Sequence, residues 1–383
     1  MSGTSLFDSL QLGPFTLSHR VVMAPLTRMR ATRPGNIPNE LNARYYGQRA
    51  SAGGLIIAEA SQVLPSGQGS PATPGIHSAA QVEGWKGVVR AVHDKGGKIF
   101  LQLWHVGRIS HPSHQPGGEL PVSASAVKPA GKVLNADFQP VPFETPRALR
   151  TDEIPGIIEG YAQAARNARE AGFDGIEIHG ANGYLLEQFL QARTNQRTDQ
   201  YGGSIANRAR LLLEVTEAVA KAWHPERVGV RLSPYGIAND SGEDEPMPLY
   251  SHVVKALDTM GLAYLHLLEP RASGAGGREV DHQGVPSAAE LFRPMWSGVL
   301  VTAGNFRADT AAETVARGVA DAIAFGRFFI SNPDLPERIR NETQMPVHLA
   351  EAPLTCVAVG SGKYLEEFDV LARGRRNSRP RGR

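Results

Sequence analysis

Within six residues, His179-Gly180-Ala181-Asn182-Gly183-Tyr184, the chain carries an imidazole, a carboxamide and a phenol. All three can hydrogen-bond a ligand, and the first and last can also carry a proton. The stretch before them, Gly175-Ile176-Glu177-Ile178, reads as a buried strand, with Gly172 and Gly175 breaking the preceding helix. The stretch after them, Leu185 to Leu190, has apolar residues at helical spacing. The polar cluster therefore sits where a strand hands over to a helix, the place where α/β folds do their chemistry.

Such a junction needs a sheet to hold it. Apolar strand-like runs recur at Val21–Met23, Gly54–Ala58, Lys98–Trp104, Gly175–His179, Val228–Leu232, Ala263–Leu268, Val299–Ala303 and Ala322–Phe325. Helical patterns separate most of them, among them Gln81 to His93, a run through Ile157, Tyr161 and Ala168 that Gly172 closes, and Leu211 to Trp223. Strands alternating with helices predict a parallel sheet, and eight such units predict a single closed (β/α)₈ barrel. Leu12 to Leu17, around Gly13-Pro14, predicts a small N-terminal hairpin. Residues 105–150, rich in Pro, Gly and Ser, predict a long excursion after the third strand, folded over the barrel mouth. The expected organisation is one barrel domain over residues 1–372 and a basic, apolar-poor tail over 373–383, too polar to fold.

Alternation allows the barrel to be read in section, since neighbours on a strand point to opposite faces. Ile99, Leu101, Leu103, Ile176, Ile178, Val228, Val230 and Leu232 suit the helix-facing side. Gln102, Trp104, Glu177, His179 and Arg231 are left facing inward, where Val, Ile and Leu are usual. Polar groups there cost desolvation unless a polar ligand, or each other, satisfies them. Taken singly, Gln102 reads as a core amide and Glu177 with Arg231 as a buried ion pair. Their convergence at one barrel end favours a site. Thr302-Ala303-Gly304-Asn305 and Ala324-Phe325-Gly326-Arg327 end the last two strands, where this fold binds phosphate through backbone N–H groups and a cation. These loops predict a phosphorylated cofactor or substrate. There is no Walker A loop and no GxGxxG after an early strand.

Composition bounds the rest. The chain has 383 residues, 41% hydrophobic, with a net charge of +2, so neither nucleic acid nor an anionic membrane is an expected partner. A single cysteine, Cys356, excludes an internal disulfide, a Cys-rich zinc site and a Cys-ligated iron–sulfur cluster; it reads as a structural thiol, and no metal is expected. Met1 to Gln11 lacks the pattern of a secretory signal, and no apolar stretch is long enough to span a bilayer, which sets the expectation of a cytoplasmic protein.

Five ordered motifs give the chain a family resemblance: Arg20-Val-Val-Met-Ala-Pro-Leu-Thr-Arg28, Gln102-Leu-Trp-His-Val-Gly-Arg108, His179 through Phe189, Thr194 through Gly203, and Phe325-Gly-Arg327 leading to Asn332-Pro-Asp334. From about Leu6 to about Arg340 it resembles the classical branch of the Old Yellow Enzyme family, FMN-dependent ene-reductases. The resemblance implies tightly bound, non-covalent FMN and NAD(P)H as a transient hydride donor. The substrate would be an α,β-unsaturated carbonyl or nitro compound, reduced in a ping-pong reaction by a monomer or homodimer. It implies that Pro25, Leu26 and Thr27 line the flavin, with the Thr27 hydroxyl on O4, and that Ala60 and Gln102 meet the pyrimidine side. Arg231 would lie near N1 and O2, where negative charge gathers on the reduced flavin. Gly304, Asn305, Gly326 and Arg327 would hold the phosphate. His179 and Asn182 would bind the substrate oxygen, Tyr184 would supply the proton, and Trp104 and Tyr364 would shape the pocket together with Thr27. Ser70 stands where many classical members carry a tyrosine, which changes the pocket rim. Two alternatives remain at this point: a non-catalytic FMN-binding protein, and another phosphate-binding barrel enzyme such as an aldolase or isomerase.

Overall fold

Eight parallel strands close into a barrel: β1 (Val21–Met23), β2 (Leu55–Gln62), β3 (Lys98–Trp104), β4 (Gly175–Gly180), β5 (Val228–Leu232), β6 (Tyr264–Leu268), β7 (Leu300–Ala303) and β8 (Ala322–Phe325). Each pairs with the next and β8 pairs with β1. The coordinates are those of a computed structural model, which describes residues 4–270 and 286–341. Tyr364, Cys356 and the basic tail lie outside the described residues.

The strands fall where the apolar runs predict, with one informative difference. β2 continues four residues beyond Ala58, and its register against β3 shifts between Ala58 and Ser61. Leu55 and Ile57 point into the barrel while Ile56 and Ala58 pack outward, so strict alternation would send Glu59 inward. The bulge inserts one residue. Glu59 instead reaches out to Asn42 and Tyr46 of α1 (Glu40–Arg49), and Ala60 joins the apolar cluster at the mouth with Trp104.

Helices cover the outer face. α2 (Ala79–His93) begins in a reciprocal cap, Gln81 N–H donating to Ser78 Oγ and Ser78 N–H to Gln81 Oε1. α3 (Ile154–Ala171) ends at Gly172 in the left-handed conformation, φ 91°, which a glycine adopts without steric cost. All eight residues predicted to face the helices lie in this outer layer, where Trp85 of α2 packs edge-on against Phe173.

Inside, the barrel is solid below and polar above. Leu10, Leu12 and Leu17 of the N-terminal hairpin cluster with Phe100 and Tyr264, closing the floor. At that level glycine and aromatic positions alternate. Gly175 lies opposite Phe100 and Gly229 opposite Tyr264 in the register. A Cβ on Gly229 would come within 2.3 Å of the Tyr264 ring, so that ring occupies the space a side chain would otherwise fill. Gly229→Ala should therefore lower stability by roughly 1–3 kcal/mol, seen as an earlier denaturation midpoint; an unchanged midpoint would mean that Tyr264 can move aside without penalty.

The excursion 105–150 carries two small strand pairs, Val122–Ser123 with Arg147–Ala148 and Lys132–Leu134 with Pro140–Pro142. Its Val133 and Phe143 join Trp104 and Ala60 at the mouth. Arg108 secures it, donating to Val127 O at 3.1 Å and to Asp240 O at 2.8 Å in the loop after β5. Arg197, from the Thr194 to Gly203 motif, donates to Ala124 O and Leu149 O. That motif holds the excursion down and contributes no side chain to the mouth cluster.

Candidate active site

Two tiers of inward side chains stand above the floor. In the lower tier Gln102 pairs with Glu177 in the register, and Glu177 with Gly229. In the upper tier His179 pairs with Arg231, and Arg231 with His266. Sequence reasoning identified Gln102, Glu177, His179 and Arg231, but missed Tyr264 and His266. Both lie at alternate positions of a run otherwise rich in leucine, and period two alone would have aimed them inward with Leu268.

Glu177 is the hub of the lower tier. Gln102 Nε2 donates to Oε1 at 2.7 Å, while Tyr264 Oη at 3.1 Å and His266 Nδ1 at 2.8 Å meet Oε2. Burial pushes the Glu177 carboxyl up, but His266, Arg231 and Gln102 together outweigh it and hold the group ionised. Burial keeps His266 neutral, so its Nδ1–H is the donor. The Gln102 amide nitrogen is thus engaged below the site, leaving its oxygen for a ligand. Glu177 and Arg231 act on each other only through space; no ion-pair contact joins them.

The upper tier is not satisfied within the protein. His179 Nδ1, Arg231 Nε and Trp104 Nε1 are all buried without a hydrogen-bond partner. Orphaned buried polar atoms of this kind are rare and costly in a structure complete in itself. Burial, reinforced by Arg231, holds His179 well below the ordinary histidine range, so the ring is neutral and carries one N–H. Tyr184 wedges between the two aromatic members, its ring 5.0 Å from both Trp104 and His179 and edge-on to each. Burial pushes its phenol up, only partly offset by the Asn239 amide and Arg231, so it remains protonated.

The turn between β4 and α4 (Leu185–Leu190) is held in an unusual shape. Asn182 and Gly183 are both left-handed, φ 59° and 72°. Asn182 N–H donates to Ser233 Oγ at 2.8 Å, and the Asn239 amide donates to Asn182 O at 2.9 Å. Asn239, itself left-handed at φ 58°, is a third residue that sequence reasoning missed. It belongs to the loop after β5, whose approach to the turn no local pattern reveals.

Around the same mouth lie the remaining predicted residues. Pro25, Leu26 and Thr27 follow β1, half-buried, on a loop whose Arg28 N–H is anchored to Glu59 Oε2 at 2.9 Å. Gly304 has φ 146°, Asn305 has φ 52°, and Arg327 Nη2 donates to Asn305 Oδ1 across the two loops. A Cβ on Gly326 would approach Leu26 at 3.3 Å, so β8 and the Pro25–Thr27 loop close on each other. Ser70 O is tied to Gln68 and Thr73 side chains beside the mouth loops. Bare glycine backbone, a nearby arginine and unsatisfied donors above a dry hub suit a large, anionic, planar ligand with a phosphate end. FMN fits that description in each part.

A (β/α)₈ barrel with glycine-bearing loops after its last strands, and unpartnered buried nitrogens at its mouth, suits a phosphorylated cofactor. Residues 5–345 match the NADH:flavin oxidoreductase / NADH oxidase family, and the chain belongs to it. It is 47% identical over 375 residues to 12-oxophytodienoate reductase 1 of Oryza sativa subsp. japonica, covering 96% of this chain and 95% of that protein. It is 45% identical over 339 residues to 12-oxophytodienoate reductase 2 of Arabidopsis thaliana, covering 88% of each. Among solved structures, morphinone reductase in complex with tetrahydroNAD superposes with a TM-score of 0.82 at 50% identity, covering 91% of this chain and 92% of that one. The Old Yellow Enzyme homologue from Zymomonas mobilis superposes at 0.84 with 43% identity, covering 90% and 94%. The chain is therefore an FMN-dependent NAD(P)H oxidoreductase of the ene-reductase class. That sets aside the aldolase and isomerase alternative. No described helix is long and apolar enough to cross a membrane.

Proposed function

We propose that the His179–Tyr184 turn grips the oxygen of an α,β-unsaturated carbonyl or nitro compound and completes its reduction with a proton from Tyr184. The observation that carries this reading is the convergence of buried, unpartnered nitrogens on one mouth: His179 Nδ1, Trp104 Nε1 and Arg231 Nε. When bound, FMN would supply the hydride chemistry, with NAD(P)H as the source. The protein does the rest. His179 and Asn182 donate to the substrate oxygen and stabilise the negative charge that develops there. The Tyr184 phenol delivers the proton to the α-carbon. Arg231 would balance charge on the bound cofactor, and Pro25, Leu26, Thr27, Ala60 and Gln102 would line its ring. Gly304, Asn305, Gly326 and Arg327 hold the phosphate. Trp104 shapes the pocket wall. The enzyme works on small molecules in the cytoplasm as a monomer or homodimer.

Purified protein should be yellow and release FMN on denaturation. NADPH should bleach it and an enone restore the colour. Colourless protein that cannot be reconstituted with FMN would overturn the reading, whereas yellow protein that never bleaches would support a carrier of FMN without turnover.

A further inference from the structure

Glu187 lies on α4, is fully buried, and has no role in the chemistry above, yet three donors converge on its carboxylate. Gly183 N–H meets Oε2 at 2.5 Å, while Ser233 Oγ at 2.7 Å and Tyr250 Oη at 2.6 Å both donate to Oε1. These donors come from three elements: the turn itself, the end of β5 two residues beyond Arg231, and α6 (Pro246–Asp258). Ser233 also accepts the N–H of Asn182. A single carboxylate thereby holds two consecutive amides, Gly183 directly and Asn182 through one hydroxyl. Those two residues are the left-handed pair, and for Asn182 that conformation carries a steric cost that something must hold in place. A Cβ on Gly183 would meet Ala238 O at 2.6 Å, so the turn has no slack on its far side.

We propose that Glu187 is the positioning residue of the oxygen-gripping turn, locking Asn182 and Tyr184 against the strand end that carries Arg231. This rests on the roles proposed above for Asn182 and Tyr184. An ordinary helix cap would need the Gly183 contact alone; the bonds to Ser233 and Tyr250 reach across to β5 and α6. Burial, only partly offset by Tyr250, Ser233 and Gly183, pushes the Glu187 carboxyl up to about 7. Because that value exceeds the usual 4.5, the group's contribution to global stability is greatest in acid and is lost as pH rises through about 7. Its hold on the turn runs the other way. Gly183 N–H can only donate, so a proton must sit on the oxygen facing the two hydroxyls, and one of them then has to turn round and accept. The charged groups around it are few. Arg208 of α5 (Ile205–Ala222) pairs with Glu243 at 2.7 Å, and Glu243 acts on Tyr250. His179, Arg231 and Tyr184 couple among themselves.

The test uses the full-length, FMN-loaded protein and cyclohexanone, a saturated ketone that offers an oxygen but no reducible C=C bond. Its affinity, read from the flavin spectrum, should fall about three- to tenfold between about pH 8.5 and pH 6, as charge-assisted bonds become neutral ones. In Glu187→Gln the affinity should be about tenfold weaker and flat with pH, with FMN affinity unchanged and faster hydrogen exchange at Asn182 and Gly183. Glu187→Asp should restore part of the pH dependence. Wild-type affinity and pH profile in Glu187→Gln would overturn the proposal, whatever the change in melting temperature. Should that variant fail to fold, Ser233→Ala and Tyr250→Phe each remove one donor, and ketone affinity unchanged in both would overturn it equally. If Tyr184→Phe slows enone reduction while Glu187→Gln behaves as wild type, this inference alone fails; if Tyr184→Phe has no effect, the reading of the turn itself fails.

Discussion

Replacing Tyr184 by phenylalanine slows enone reduction by about 10²–10⁴-fold while flavin reduction by NAD(P)H continues near its original rate. The substitution removes one oxygen and keeps the ring, so the edge-on contacts with Trp104 and His179 survive and the pocket retains its shape. The proton is lost, together with the hydrogen bond between the phenol and the Asn239 amide. Because burial pushes the phenol up, Tyr184 remains protonated across the neutral range, and its own titration should leave no mark on the rate below about pH 10. Stopped-flow measurement of the two halves separately checks the assignment. Equal slowing in both halves would make Tyr184 a structural wedge and not the acid.

Replacing His179 by alanine is expected to cost about 10²–10³-fold in enone reduction, the usual consequence of removing one preorganised donor to a developing oxyanion. The physical reason lies in where the ring sits. Its Nδ1 has no partner within the protein, so a ligand oxygen that meets it repays a desolvation already incurred. The ring is neutral because burial and the Arg231 guanidinium both oppose a positive charge. Consequently the grip on a substrate oxygen should not follow a histidine-like titration. An inflection near neutrality that arises from Glu187 should persist in His179→Ala. An inflection that disappears with His179 would show that the imidazole itself is protonated in the working range.

Much of the architecture was legible because buried parallel strands are simple objects. A run such as Val228 to Leu232 is apolar, short and bounded, and eight such runs separated by helices allow few topologies. The inward set on β3, β4 and β5 followed from period two. The same rule fails on β2, where Glu59 would have been placed inward. The inserted residue at the bulge sends it to α1 and brings Ala60 to the mouth, and only strand-to-strand register contains that information. Gln102 illustrates another limit. Its inward direction was readable, but its engagement with Glu177 was not, since that depends on which residue of a neighbouring strand stands beside it.

By itself, then, the chain's order of residues determined the barrel, the strand-end turn carrying His179, Asn182 and Tyr184, and the glycines that follow the last two strands. These are local features: a period, a glycine, a strand end. Tertiary structure alone decided which groups remain unsatisfied and which are tied. Glu187 reads in sequence as an ordinary polar position on a short helix. Folding places it beneath the turn, among donors from residues 183, 233 and 250, in a space too dry to hold its charge easily. Hydrogen bonds and desolvation depend on neighbours brought together from far along the chain, and no local pattern records them.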